Sequence, residues 1–141
     1  MAREFFEEAA DALVGFLPPA LSQFARRISS RNLKVWYGDE PREHYEIQLA
    51  SGRLEIGFHT EHADAARNDA VLDRMLVHEP EWRRALGAHA QAGAYVGRQS
   101  GAWRRVSEVW AEDASDAGAA VEAADRLATY IMALEPRRAI P

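Results

Sequence analysis

Two His-x-Glu units, His44-Tyr45-Glu46 and His59-Thr60-Glu61, are the residues of this chain whose types and spacing suit chemistry. Neutral imidazole and carboxylate are ligands for zinc, iron or manganese. Each unit sits in a segment with apolar side chains at every second position: Tyr45, Ile47 and Leu49 in His44–Leu49, and Leu54, Ile56 and Phe58 in Leu54–Glu61. That alternation predicts two half-buried antiparallel strands. If Ser51-Gly52 is a two-residue turn, Leu49 pairs with Leu54, Ile47 with Ile56 and Tyr45 with Phe58 on one face. Gln48 then pairs with Glu55 and His44 with His59 on the other face, so the histidines could share one divalent ion, with Glu46 or Glu61 completing the set. The competing expectation is that this is the solvated side of a half-exposed sheet, where His and Glu are ordinary choices.

Other candidates are thinner. His62, His78 and His89 each stand alone in polar or helical contexts and are expected at the surface. Asp39, Glu46 and Gln48 resemble the acidic pattern of a metal-dependent nuclease core, but glutamine stands where such a core needs a charge-stabilising lysine. Lys34 is the only lysine. A Gly-x-Ser-x-Gly elbow, a phosphate-cradling glycine loop and a dinucleotide fingerprint are all absent, which leaves serine hydrolase, P-loop and Rossmann chemistry without support. Trp36, Trp82, Trp103 and Trp110 are expected in a core or an interface. Trp103 with Arg104 and Arg105 forms a candidate partner surface that could stack on a ring or base.

The elements that must carry these residues fit one domain spanning 1–141, since 141 residues support one core and not two. A composition of 48% hydrophobic and 28% charged residues is that of a globular domain. The net charge of −5 disfavours nucleic acid as a partner without a concentrated basic face. Arg26, Arg27, Arg31 and Lys34 form a local basic run that could meet phosphates and is otherwise expected to be a solvated helix end. The longest nearly apolar stretch, Ala12–Leu21, is broken by Pro18-Pro19 and is too short to span a bilayer. An acidic opening segment and the absence of cysteine point to a cytoplasmic location without disulfides.

Phe5, Phe6, Ala9, Ala10, Leu13 and Val14 predict a first helix over residues 3–16. Leu21, Phe24, Ala25 and Ile28 predict a second short helix after Pro18-Pro19. Leu33–Tyr37 reads as a strand, and the His-x-Glu hairpin follows the turn Gly38-Asp39-Glu40-Pro41. A helix capped by Asp64 runs to about His78, and Pro80 opens another that stops at Gly87. Gly93–Gln99 and Trp103–Trp110, joined by Ser100-Gly101, predict a second hairpin. Ala120, Val121, Ala124, Leu127, Ala128, Ile131 and Leu134 define a last helix over Ser115–Leu134. The expected fold is α+β, an antiparallel five-stranded sheet with helices packed on one face, in the order α-β-β-β-α-β-β-α.

Leu54-Glu55-Ile56-Gly57-Phe58, Asn68 entering a helix with Leu72 and Leu76, Glu81-Trp82 to Leu86-Gly87, and Trp103-Arg104-Arg105-Val106 together resemble domain of unknown function 4268. That family is uncharacterised and is found attached to restriction-endonuclease-like nucleases. The resemblance covers about the middle half of the chain and implies no activity for any residue. The element order is also similar to that of type III secretion chaperones, which bind partner polypeptides, usually as dimers. That likeness is one of topology; the lack of a credible catalytic set, the aromatic residues in edge-strand segments and an Ala-rich helix suited to close packing set the functional expectation, a noncatalytic domain mediating protein association as a homodimer. The alternative is a small metal- or ligand-binding protein using His44, Glu46, His59 and Glu61.

Overall fold

The computed structural model describes residues 2–95, 101–111, 116 and 118–138. Helix α1 (Ala2–Phe16) buries Phe5, Phe6, Ala9, Ala10 and Leu13 along one side. Val14, at the margin of that stripe, is 45% exposed. Pro18 and Pro19 end the helix in a single 3-10 turn, Pro19–Leu21. The predicted second helix does not form. Ala25–Ile28 is instead a strand, β1, paired antiparallel with β2 (Asn32–Trp36). Ser29 supplies the reason: its Oγ accepts from the amides of Arg31 and Asn32 at 3.1 and 3.2 Å, closing a turn that gives the β1 backbone its partners in β2. Tertiary pairing overrides the apolar spacing here.

Strands β3 (Glu43–Ala50) and β4 (Arg53–Thr60) form the predicted hairpin in the predicted register, with Tyr45 opposite Phe58, Ile47 opposite Ile56 and His44 opposite His59. Ser51 and Gly52 both have positive φ, 53° and 74°, as the tightest hairpin turn demands. Helix α2 (Ala65–Val77) begins where the Asp64 carboxylate accepts from the Ala66 amide at 3.0 Å. Helix α3 (Glu79–Leu86) stops at Gly87. Strands β5 (Gln91–Ala94) and β6 (Arg104–Trp110) pair with each other, and β6 also pairs with β4. Val96, Gln99 and Ser100 of the predicted second hairpin lie outside the described residues. Helix α4 (Ala119–Arg138) is the last element among the described residues; Ser115, where the sequence starts that helix, also lies outside them.

Among the described residues the sheet therefore has six strands and not five, in the order β1-β2-β3-β4-β6-β5, with every neighbouring pair antiparallel. Helix α4 lies over β3 and β4 and packs against α1, α2 and α3, so the helices form one layer. Alanines 120, 124 and 128 let that layer approach closely, while Val121 turns outward at 39% exposure. Trp82 is core, its indole N–H donating to the Met75 carbonyl at 2.8 Å. No helix among the described residues is long and apolar enough to cross a membrane.

Buried carboxylates fasten α4 to the sheet at two points. At its end, Glu135 accepts from Tyr45 Oη at 3.0 Å and from Arg138 at 2.7 Å, and Arg138 reaches Glu43 of β3 at 3.1 Å. This anchorage carries the helix through Pro136 to Arg138, beyond the Leu134 end expected from the sequence. At its middle, Glu108 of β6 accepts from Tyr130 at 2.8 Å, Arg126 at 2.7 Å and Trp110 at 2.7 Å. Burial alone would raise the Glu108 pKa. The bonds from Arg126, Trp110 and Tyr130, with the charge of Arg126, outweigh burial and hold it below the usual carboxylate value.

A folded-state pKa below the unfolded one stabilises the fold above the unfolded pKa. That stability is lost as pH falls from about 4.3 through the folded value. Glu108→Gln should cost about 2 kcal/mol at pH 7 and flatten the acid limb of the stability curve below about pH 4.3, read by urea denaturation across pH. An acid limb identical to that of the unmodified chain would remove Glu108 as its source.

Candidate metal centre

The register of β3 on β4 puts His44, Glu46 and His59 on the sheet face opposite the helices, and Glu61 follows directly after β4. The Glu61 amide continues the ladder by donating to the Arg42 carbonyl at 2.8 Å. Asn68 of α2 fixes this end of the strand. Its Oδ1 accepts from Thr60 Oγ1 and the His62 amide, both at 2.9 Å, and its Nδ2 donates to the carbonyls of His62 at 2.9 Å and Ala102 at 2.8 Å. The side chain is fully used. Glu61 is held between the two residues so clamped.

One ligand atom from each of the four side chains lies within 4.8 Å of every other. Glu46 Oε1 is 3.0 Å from His44 Nε2 and 3.0 Å from His59 Nδ1. Glu61 Oε2 is 3.7 Å from His44 Nε2 and 3.2 Å from His59 Nδ1. An ion with bonds of about 2.0–2.1 Å to four tetrahedral ligands sets those ligands about 3.3 Å apart. The four His-to-Glu separations, 3.0 to 3.7 Å, bracket that value.

Each of the four side chains also spends its other polar atom on an outer partner. His44 Nδ1 donates to the Pro41 carbonyl at 2.8 Å, and His59 Nε2 meets Glu55 Oε2 at 2.8 Å. Glu46 Oε2 accepts from Asn32 Nδ2 at 3.1 Å, and Glu61 Oε1 faces Lys34 Nζ at 3.6 Å. One atom per residue is left pointing inward. Such outer bonds orient ligands around a metal and set their basicity.

The cluster is not a wet surface. His44 and His59 are each 1% exposed, Glu46 is 1% and Glu55 6%. Tyr95 stands edge-on to His59 at 5.0 Å between ring centroids, and Trp103 stands edge-on to Tyr95 at 5.3 Å. Burial alone would depress the His59 pKa, but the charge and hydrogen bond of Glu46, with bonds from Glu55 and Glu61, hold the imidazole well above its ordinary value. Burial alone would raise the Glu46 carboxyl; His59, by charge and hydrogen bond, and His44 hold it far below the carboxylate range. The pocket therefore favours positive charge at its centre.

Several sequence expectations fall elsewhere. His62, expected at the surface, is 3% exposed and bonds Glu43 at 2.8 Å, inside the anchorage of α4. The basic run is no helix end: Arg27 and Lys34 pair across β1 and β2, and Lys34 reaches the cluster. Asp39 is exposed in the turn before β3 and stands outside the cluster, so the acidic nuclease pattern is not assembled. Arg104 and Arg105 point to opposite faces of β6; Arg104 binds Asp69 at 3.0 Å, and Arg105 donates to Ser107 Oγ at 3.0 Å. Sequence reasoning missed Asn32, Glu55, Ser107 and Asn68 as supports. For Glu55 the signal was present, since it lies on the polar face of the same strand as His59.

Gly57 was also missed. It sits between Glu46 and Ser107 in the sheet with φ of 152°, and a Cβ there would lie 2.6 Å from Ser107 Cβ and against the Val106 carbonyl. Only glycine lets β6 lie this close beneath the cluster. Comparison with protein-family models, curated proteins and solved structures finds no match.

Gly57→Ala should destabilise the fold by about 3 kcal/mol through overpacking and backbone strain. Gly15→Ala, at an open helical position, should gain about 0.5–1 kcal/mol. Urea titrations of both variants test the contrast, and equal midpoints would show that β6 can shift away at no cost.

Proposed function

We propose that this domain binds one divalent transition metal ion through His44 Nε2, Glu46 Oε1, His59 Nδ1 and Glu61 Oε2. The observation that carries this reading is that all four residues turn one ligand atom inward while an outer partner holds the other. Two imidazoles and two carboxylates with no sulfur suit zinc, iron(II) or manganese(II).

The cost of burial supports the same reading. Each ionised group taken out of water costs several kcal/mol, and well-packed apolar residues in its place are often at least as stabilising. Three carboxylates and two imidazoles gathered on one sheet face therefore contribute little to folding by themselves. A bound divalent ion neutralises the two inward carboxylates and gives the cluster a reason to be dry. The ion would take the place of the His59 Nδ1 proton, because that nitrogen must be free of its proton to bind.

The association reading keeps a narrower footing in exposed apolar side chains, chiefly Val77 at 73% exposure beside Leu76 at the end of α2. It accounts for nothing at the buried cluster, so metal binding stands first.

The test is elemental analysis of protein purified without chelator or histidine tag, alongside His44→Ala/His59→Ala. Near-stoichiometric zinc, iron or manganese is expected in the unmodified chain and none in the double variant. Adding the metal at a hundred times its Kd should raise stability by about 2.7 kcal/mol, read as a higher Tm. Metal-free protein whose Tm no divalent ion moves would end the proposal.

A further inference from the structure

The two histidines are held by different atoms. His44 gives its Nδ1 proton to the Pro41 carbonyl, a group that can only accept, so Nε2 is the nitrogen left for the cluster. At His59 the arrangement is reversed, and a chain of three side chains reverses it. Arg105 can only donate, and it donates through Nη1 to both the carbonyl and the Oγ of Ser107, each at 3.0 Å. Ser107 Oγ, with its acceptor side taken by Arg105, donates to Glu55 Oε2 at 2.6 Å. Glu55 Oε2 also meets His59 Nε2 at 2.8 Å, and an ionised carboxylate can only accept. His59 Nε2 therefore carries a proton held by Glu55, while Nδ1, whose proton goes to Glu46 and Glu61, is the nitrogen that gives its proton up to an ion between them.

We propose that the ion is bound by His44 through Nε2 and by His59 through Nδ1, and that Arg105, Ser107 and Glu55 are positioning residues selecting the His59 nitrogen. The inference rests on the metal-binding reading and adds to it the control of one ligand by residues that never touch the ion. The glycine in β4 belongs to the same device, because the missing Cβ at Gly57 is what brings Ser107 within reach of Glu55. Among the described residues the second oxygen of Glu55 is buried without a hydrogen-bond partner, and both donors converge on Oε2.

The experiment is long-range proton–nitrogen NMR of protein labelled with 15N-histidine, before and after one equivalent of zinc. In the loaded protein His59 should be coordinated at Nδ1 with its proton on Nε2, and His44 should show the opposite pattern. Glu55→Ala and Ser107→Ala should weaken zinc binding by about 10–100-fold. Glu55→Gln, whose carbonyl oxygen can still accept both bonds, should keep more of the affinity than Glu55→Ala and preserve the His59 pattern. The two His59 patterns differ even if a variant folds poorly, since the unmodified protein alone reports them. Zinc bound with His59 coordinated through Nε2, or Glu55→Ala binding zinc as tightly as the unmodified chain, overturns the positioning proposal while leaving the metal site standing. Zinc that shifts no histidine resonance overturns the metal site and this proposal with it.

Discussion

The pairing of β3 with β4 across the Ser51-Gly52 turn is the constraint on which the rest of the molecule depends. A strand shows its side chains alternately to two faces, so a slip of one residue would exchange the faces completely. In the observed register Tyr45, Ile47, Ile56 and Phe58 form the floor of the helix-side core. The same register sets His44 across from His59. Both outcomes come from one turn with two residues at positive φ, so core and cluster are specified together.

The hairpin departs from ordinary antiparallel architecture in being buried on both sides. Antiparallel sheets commonly show one face to water. Here every residue from Glu43 to Ile47 and from Leu54 to Thr60 is buried. On the helix side the cover is α4, whose alanines allow close approach. On the other side Tyr95, against His59, and Trp103, against Tyr95, form part of the cover, and Lys34 reaches in from β2. A buried polar face must satisfy its own hydrogen bonds. The cluster does so for its inward-facing residues with carbonyl, amide and hydroxyl partners drawn from β2, β6 and the turn before β3 and an ion pair to Lys34, leaving Glu55 Oε1 without a partner among the described residues.

Much of this was legible in the sequence because the alternation in Tyr45–Leu49 and Leu54–Phe58 is strict and the turn is short. Asp64 and Gly87 marked helix ends for equally local reasons. What was not legible depended on distant partners. Ala25–Ile28 has helix-like apolar spacing, and only the turn closed by Ser29 and the pairing with β2 make it a strand. Residues 44, 46, 59 and 61 could be named as a candidate ligand set. Their burial could not, because part of the cover comes from Tyr95 and Trp103, far along the chain. The role of Gly57 was hidden too, since a strand glycine reads as a weak point until β6 is known to lie against it.

Alternation also divides neighbours in sequence between two separate buried networks. Glu43 turns to the helix side and joins His62, Arg138 and Glu135, while His44 turns to the cluster. At the end of β4, Glu61 turns to the cluster while His62 joins the helix anchorage. His44 is therefore next in the chain to Glu43, which Arg138 of α4 binds, and Glu61 is next to His62, which binds Glu43 and Asn68. Because the backbone transmits shifts between neighbours directly and close-packed interiors yield little, the cluster is held in place from the far side of the sheet. If the proposed ion binds here, a set of side chains fixed this firmly beforehand would lose little conformational entropy on taking it up.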